Sequence, residues 1–134
     1  MRSFKYTISF RIEHPNLDPR DISAELSLQA NTSWMAGDQR STPTGRLLKG
    51  KYKTTYWSHV LEQRRNVKLA ECLDAFTTSL EAHEDFLKKL RSTGGKCEYF
   101  IGWFSGCHSG EIFGYQLLSR LSRLGIDLAL DVYG

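Results

Sequence analysis

Cysteine is scarce: Cys72, Cys97 and Cys107 are the three in 134 residues. Their number is odd and no C-x-x-C spacing occurs. That pattern fits a reducing compartment better than a secreted, disulfide-held scaffold, and a chain of this length needs no disulfide or metal to hold it. Long apolar runs are missing too. None approaches the roughly 20 residues that a membrane span needs. The opening "MRSFKYTISF" is interrupted by polar residues at every second place, which argues against a secretory leader and makes a cytoplasmic protein the expectation. No phosphate loop, metal-ligand cluster or nucleophile–base pair is spaced for chemistry. The sequence therefore nominates no catalytic residue, no metal and no cofactor. An excess of one charge is also absent. Eighteen basic and 15 acidic residues leave a net charge of only +3, too balanced to imply nucleic acid by itself.

What is present suffices for a folded unit. The chain is 40% apolar, and at this length roughly two-thirds of the unfolded surface can be buried in one domain, residues 1–134. Residues 4–12 alternate strictly. Phe4, Tyr6, Ile8, Phe10 and Ile12 point one way; Lys5, Thr7, Ser9 and Arg11 point the other. This predicts a strand with one buried and one open face. Asp18-Pro19 predicts a helix start, with Asp18 as cap and an apolar edge of Ile22 and Leu26, ending near Leu28. An irregular strand is expected over 30–40, a loop over 41–50, and a strand over 52–57, together a long-looped hairpin. A stripe from Leu69 through Leu73, Phe76, Leu80, His83, Leu87 and Leu90 predicts one long helix over 66–91, stopped by Gly94-Gly95. "CEYFIGWF" (97–104) predicts a strand covered on both faces. A short helix over 117–124, closed by Gly125, and an alternating strand over 126–133 end the chain.

The order is β-α-β-β-α-β-α-β. This implies an α+β domain whose first six elements form a ferredoxin-like core, β-α-β-β-α-β, of mostly antiparallel sheet with helices on one face. The last helix and strand are a C-terminal helix-strand extension.

Several marks come in a definite order. Leu17-Asp18-Pro19 precedes Ile22 and Leu26; Ser33-Trp34 with Gly37-Asp38 follows; Tyr56-Trp57 stands before the long helix; "LGIDLALDVYG" ends the chain. This order resembles domain of unknown function 4279, a family of small bacterial proteins. Trp-x-x-Gly-Asp and Asp131-Val132-Tyr133 are its most specific parts. The resemblance implies a shape but no activity.

Four clusters could carry function. In "TSWMAGDQR" (32–40), Gly37 and Asp38 suit a turn, and Trp34 packing beneath it. The sharper reading has Trp34 and Trp57 walling a shallow pocket with Asp38 and Arg40 at its mouth. Between Gln39 and Leu61 there is no acid, while Arg40, Arg46, Lys49, Lys51 and Lys53 alternate with aromatic rings, as single-stranded nucleic acid would require. Cys107 and His108 lie between glycines in "GCHSG" and read as a turn rather than an activated thiol. Finally, Asp127, Asp131 and Tyr133 share one face of the last strand, and the first strand offers Lys5 and Arg11 on its own non-core face. If these rows coincide on a helix-free side, that side pairs charges or docks a partner. Asp127 and Asp131, about 13 Å apart by strand rise, are too distant to cooperate in acid–base chemistry.

The leading expectation is a non-catalytic protein-binding module, an immunity-type or accessory factor. It would engage a protein partner, or a second copy as a dimer, through the open sheet face. The alternative is a small-molecule-binding or enzymatic domain with its pocket beside Trp34 and Trp57. Nucleic-acid binding through residues 40–53 stands third.

Overall fold

The computed structural model describes residues 4–63 and 66–134; the first three residues of the N-terminal stretch lie outside these. β1 (Lys5–His14) runs as its alternation dictates. Ile8, Phe10, Ile12 and His14 are buried, while Lys5 and Thr7 are exposed and Ser9 and Arg11 half-buried. Asp18 caps α1 (Pro19–Leu26) by accepting the Arg20 amide, with Pro19 in the first turn where a missing N–H costs nothing. The helix is shorter than expected because Ser27 turns left-handed and ends it.

The middle of the chain departs most from expectation. Instead of one irregular strand and a loop there are β2 (Thr32–Trp34), β3 (Gln39–Ser41) and β4 (Leu47–Lys51), then β5 (Thr55–Val60). β2 pairs with β5, while β3 and β4 pair with each other as a separate two-stranded hairpin inserted between them. Met35–Asp38 makes the corner. Gly37 sits at φ +90°, the Met35 amide donates to the Asp38 carboxylate at 3.0 Å, and the Tyr52 amide donates to the Asp38 carbonyl at 2.9 Å. "TSWMAGDQR" therefore turns a corner and ties the base of the hairpin.

The long helix is two helices, α2 (Leu69–Glu81) and α3 (Glu84–Ser92), broken at Ala82-His83. The His83 amide closes on the Leu80 carbonyl, and Glu84 and Asp85 place negative charge at the start of α3. Leu80, Leu87 and Leu90 stay buried across the break, so the apolar stripe survives it. β6 (Lys96–Phe104), α4 (Tyr115–Leu124) and β7 (Ile126–Tyr133) follow. α4 ends at Gly125 (φ +70°), where a Cβ would collide with the Arg91 side chain.

The result is an α+β fold: four helices among the described residues, a mixed five-stranded sheet in the order β2-β5-β1-β6-β7, and the small hairpin sheet. β1 is antiparallel to both neighbours, β2 to β5, and β7 is parallel to β6. Helical side chains meet the sheet on one side. There Phe10, Trp57, Phe76 and Tyr99 form an aromatic cluster. Trp57 donates to Ser23 Oγ at 2.9 Å, and Thr77 and Tyr99 share a buried hydrogen bond of 2.8 Å. α4 joins this layer, with Arg120 and Arg123 paired to Asp74, Glu81 and Glu84 of α2 and α3. The added helix thus lies on the core side and does not cover the other face.

Candidate functional site

The helix-free face is set by pairing register. Each row crosses neighbouring strands. Arg11 lies between Ser58 and Glu98, with Asp127 beyond; Glu13 lies between Tyr56 and Lys96; Ser9 lies between Val60 and Phe100; Thr7 faces Gly102 and then Asp131; Lys5 faces Phe104 and then Tyr133. The strand 97–104 is therefore not covered on both faces. Phe100 and Phe104 emerge here, with Phe104 40% exposed.

Arg11 is the centre of this face. Its guanidinium carbon stands 3.7 Å from the centroid of the Phe100 ring, a cation–π stack. Glu98 is 3.9 Å away, at the outer limit of an ion pair. The Arg11 Nε is buried without a hydrogen-bond partner among the described residues. The Nε is closed off from a partner, but the outer N–H groups of the fork, loosely paired and part-exposed, suit an incoming carboxylate or carbonyl. At the β7 end, Phe104 and Tyr133 stack at 4.8 Å, and the Tyr133 hydroxyl donates to Asp131. That bond to a carboxylate raises the pKa of the phenol, since ionisation would set two negative charges together. Gly102 is required beside this stack, because a Cβ there would lie 2.6 Å from Thr7 Oγ1 and 2.9 Å from the Phe104 ring.

The sequence-derived candidates do not all converge. Asp127, Asp131 and Tyr133 share this face with Arg11. Trp34 lies on it too, but on β2 at the opposite edge, stacked between Tyr52 (4.3 Å) and Tyr56 (4.7 Å). Four strand spacings, about 19 Å, separate β2 from β7. Trp57 is fully buried on the other face, because Ser33, not Trp34, is its register partner. Trp34 and Trp57 therefore cannot wall one pocket, and Asp38 holds the turn rather than a pocket mouth. Arg40 is exposed on the hairpin and donates to the Lys49 carbonyl at 3.2 Å. Sequence reasoning missed Lys96, Glu13 and Glu98, whose convergence on Arg11 beside Tyr56 depends on register alone.

Two depressions accompany this surface. A dish of about 120 Å³ lies beside Arg11, lined by Glu13, Tyr56, Lys96, Glu98 and Asp127. On the helix side, a groove of about 660 Å³ runs between α1 and α3, with Leu17, Phe86 and Leu90 below and Asp21, Glu25, Asp85 and Lys89 at its rim. Among the described residues, no group of three or more His, Cys, Asp or Glu could hold a metal ion, and no helix is long and apolar enough to cross a membrane.

The family model "Domain of unknown function (DUF4279)" matches residues 4–134, so the chain belongs to that family over nearly its whole length. No curated protein and no solved structure matches it.

Proposed function

We propose that the chain is a non-catalytic protein-binding module that docks a protein partner on its helix-free sheet face, with Arg11 as the anchor. The part-exposed guanidinium of Arg11, held over the Phe100 ring and only loosely paired with Glu98, carries this reading. Arginine and aromatic residues at the centre of a patch are the groups that dominate protein interfaces. Lys5, Arg11 and Lys96 stand against Glu13, Glu98, Asp127 and Asp131, a mixed field that selects a partner of mixed charge rather than a polyanion. The stacked rings of Tyr52, Trp34 and Tyr56 cover one another, leaving little ring surface for bases. The 120 Å³ dish is small against the roughly 300–1,000 Å³ of ligand sites, so the helix-free face suits a protein surface better than a small molecule. An immunity-type or accessory role in a bacterial cytoplasm is part of the same proposal, supported by three free thiols that suit a reducing compartment.

The strand order supports a ferredoxin-like core. The path β1-α1-β2-β5-α2/α3-β6 makes an antiparallel sheet ordered β2-β5-β1-β6, with the β3–β4 hairpin as an insertion and α4-β7 as an addition.

The test compares capture of binding proteins by the wild type, Arg11→Glu, Phe104→Asp and the groove variant Lys89→Glu. A partner held by the wild type and Lys89→Glu, and lost by the two sheet-face variants, supports the reading. A partner indifferent to Arg11→Glu and lost by Lys89→Glu refutes it.

A further inference from the structure

β7 is an eight-residue strand at the edge of the main sheet, and its outer side is unpaired among the described residues. The Ser105 amide donates to the Tyr133 carbonyl, so the backbone of Tyr133 faces β6. Alternation then aims the N–H and C=O groups of Ile126, Leu128, Leu130 and Val132 outward. Natural edges are commonly guarded by lysine, proline or a bulge. β7 has no lysine or proline, its two charges, Asp127 and Asp131, both lie on the helix-free face, and its register with β6 is unbroken from Ile126 to Tyr133.

The surroundings of this edge are apolar. Leu130 is 51% and Val132 64% exposed, although both point to the core side. α4 turns Arg120 and Arg123 toward α2 and α3. Helical phase therefore puts exposed Leu118 on its opposite flank, toward the β7 edge, while Tyr115 points away from the sheet. An edge with free hydrogen bonds is thus flanked by apolar side chains from strand and helix.

We propose that two copies of this chain pair antiparallel through β7, joining their sheets across a two-fold axis at Leu130. Overlap and the strand's own charges together select this register: an axis at Leu128 pairs five of the eight strand residues and one at Val132 only three, against seven for an axis at Ala129 or Leu130. Outward-facing residues must meet outward-facing residues, which leaves registers two residues apart. With the axis at Ala129, Asp127 opposes Asp131 of the second copy twice; with it at Asp131, the two Asp131 carboxylates meet. With the axis at Leu130, Asp127 opposes Tyr133, Ala129 opposes Asp131, and no carboxylate directly faces another. On the core side Leu130 then meets itself and Leu128 meets Val132. Leu118 of the two α4 helices flanks the seam. The occupant is a second copy because the edge is self-complementary in that register. This inference concerns the edge and stands independently of the sheet-face reading.

The test is the solution mass of the full chain by sedimentation equilibrium, over a wide concentration range. We expect twice the 15.3 kDa chain mass for the wild type. Leu130→Lys should give a monomer with an unchanged circular dichroism spectrum, because Leu130 is already half exposed. Leu47→Lys, a control on the exposed hairpin, should stay dimeric. In a Cys107→Ser background, Leu130→Cys should form disulfide-linked dimers on mild oxidation far faster than Val132→Cys, which would face Leu128. A wild type that is monomeric throughout overturns the proposal. So does a dimer indifferent to Leu130→Lys, and so does β7 amide protection that arises only when a foreign partner is added.

Discussion

Acid should weaken this fold through His14. The side chain is 5% exposed at the end of β1. Its Nδ1 accepts the amides of Asn16 (3.2 Å) and Leu17 (3.0 Å), so its proton sits on Nε2, which donates to Thr93 Oγ1 at 2.8 Å. That leaves Thr93 to donate in turn to the carbonyls of Lys89 and Leu90. A second proton on Nδ1 would confront two N–H donors in a site with little water. Burial holds the imidazole pKa below its ordinary value. The neutral ring is therefore the folded form, while the unfolded chain takes up a proton near pH 6.5. Above that pH the contribution of His14 is fully present. As pH falls through 6.5 toward the lowered folded pKa, the unfolded state binds the extra proton and stability falls, by at most about 1.4 kcal/mol per pH unit. From pH 6.5 to pH 5 the loss has a ceiling of about 2 kcal/mol. His14→Asn isolates the effect, because an amide oxygen can still accept the two backbone donors but does not titrate. It forfeits the Thr93 bond, about 1 kcal/mol at pH 7.5. Urea unfolding of both proteins at several pH values should show the wild type's advantage at pH 7.5 shrinking toward pH 5. A difference independent of pH would refute the reasoning.

Other expectations are narrower. Thr77→Val strands the buried Tyr99 hydroxyl and should cost about 1–3 kcal/mol, whereas adding Tyr99→Phe should recover part of that loss, which a double-mutant cycle by denaturant unfolding would measure. Gly125→Ala places a Cβ at φ +70° against the Arg91 side chain and should lower Tm, while Gly106→Ala, in open space, should not. Burial pushes the Cys97 thiol up to about 12, so a maleimide should label exposed Cys107 in the folded protein and reach Cys97 only on unfolding. Arg11→Ala should cost under about 1 kcal/mol of stability by thermal unfolding, because its ion pair is long and partly exposed.

The parity of β1 was legible because a period of two over nine residues admits one strand and two faces. The cap at Asp18 and the stop at Gly125 were legible because each residue type meets a local backbone need. The break at Ala82-His83 was not, since Leu80, Leu87 and Leu90 keep facing the core on both sides of it. Nor was the β3–β4 hairpin, which packs apart from the core and so carries no apolar alternation. The faces of Trp34 and Trp57 depended on whether Ser33 or Trp34 opposes Trp57, and composition is silent on register. The same holds for Arg11, whose partners Glu98 and Phe100 lie far along the chain. A surface assembled by register rather than by spacing leaves no motif.

The central claim is that residues on the helix-free face meet the partner. Hydroxyl-radical footprinting of the folded chain, alone and with its captured partner, tests it most directly. The account predicts that Tyr56, Phe100 and Phe104 are oxidised in the free chain and protected in the complex, with Phe86 in the α1–α3 groove unchanged. Protection of Phe86 with the three sheet residues still oxidised would contradict it.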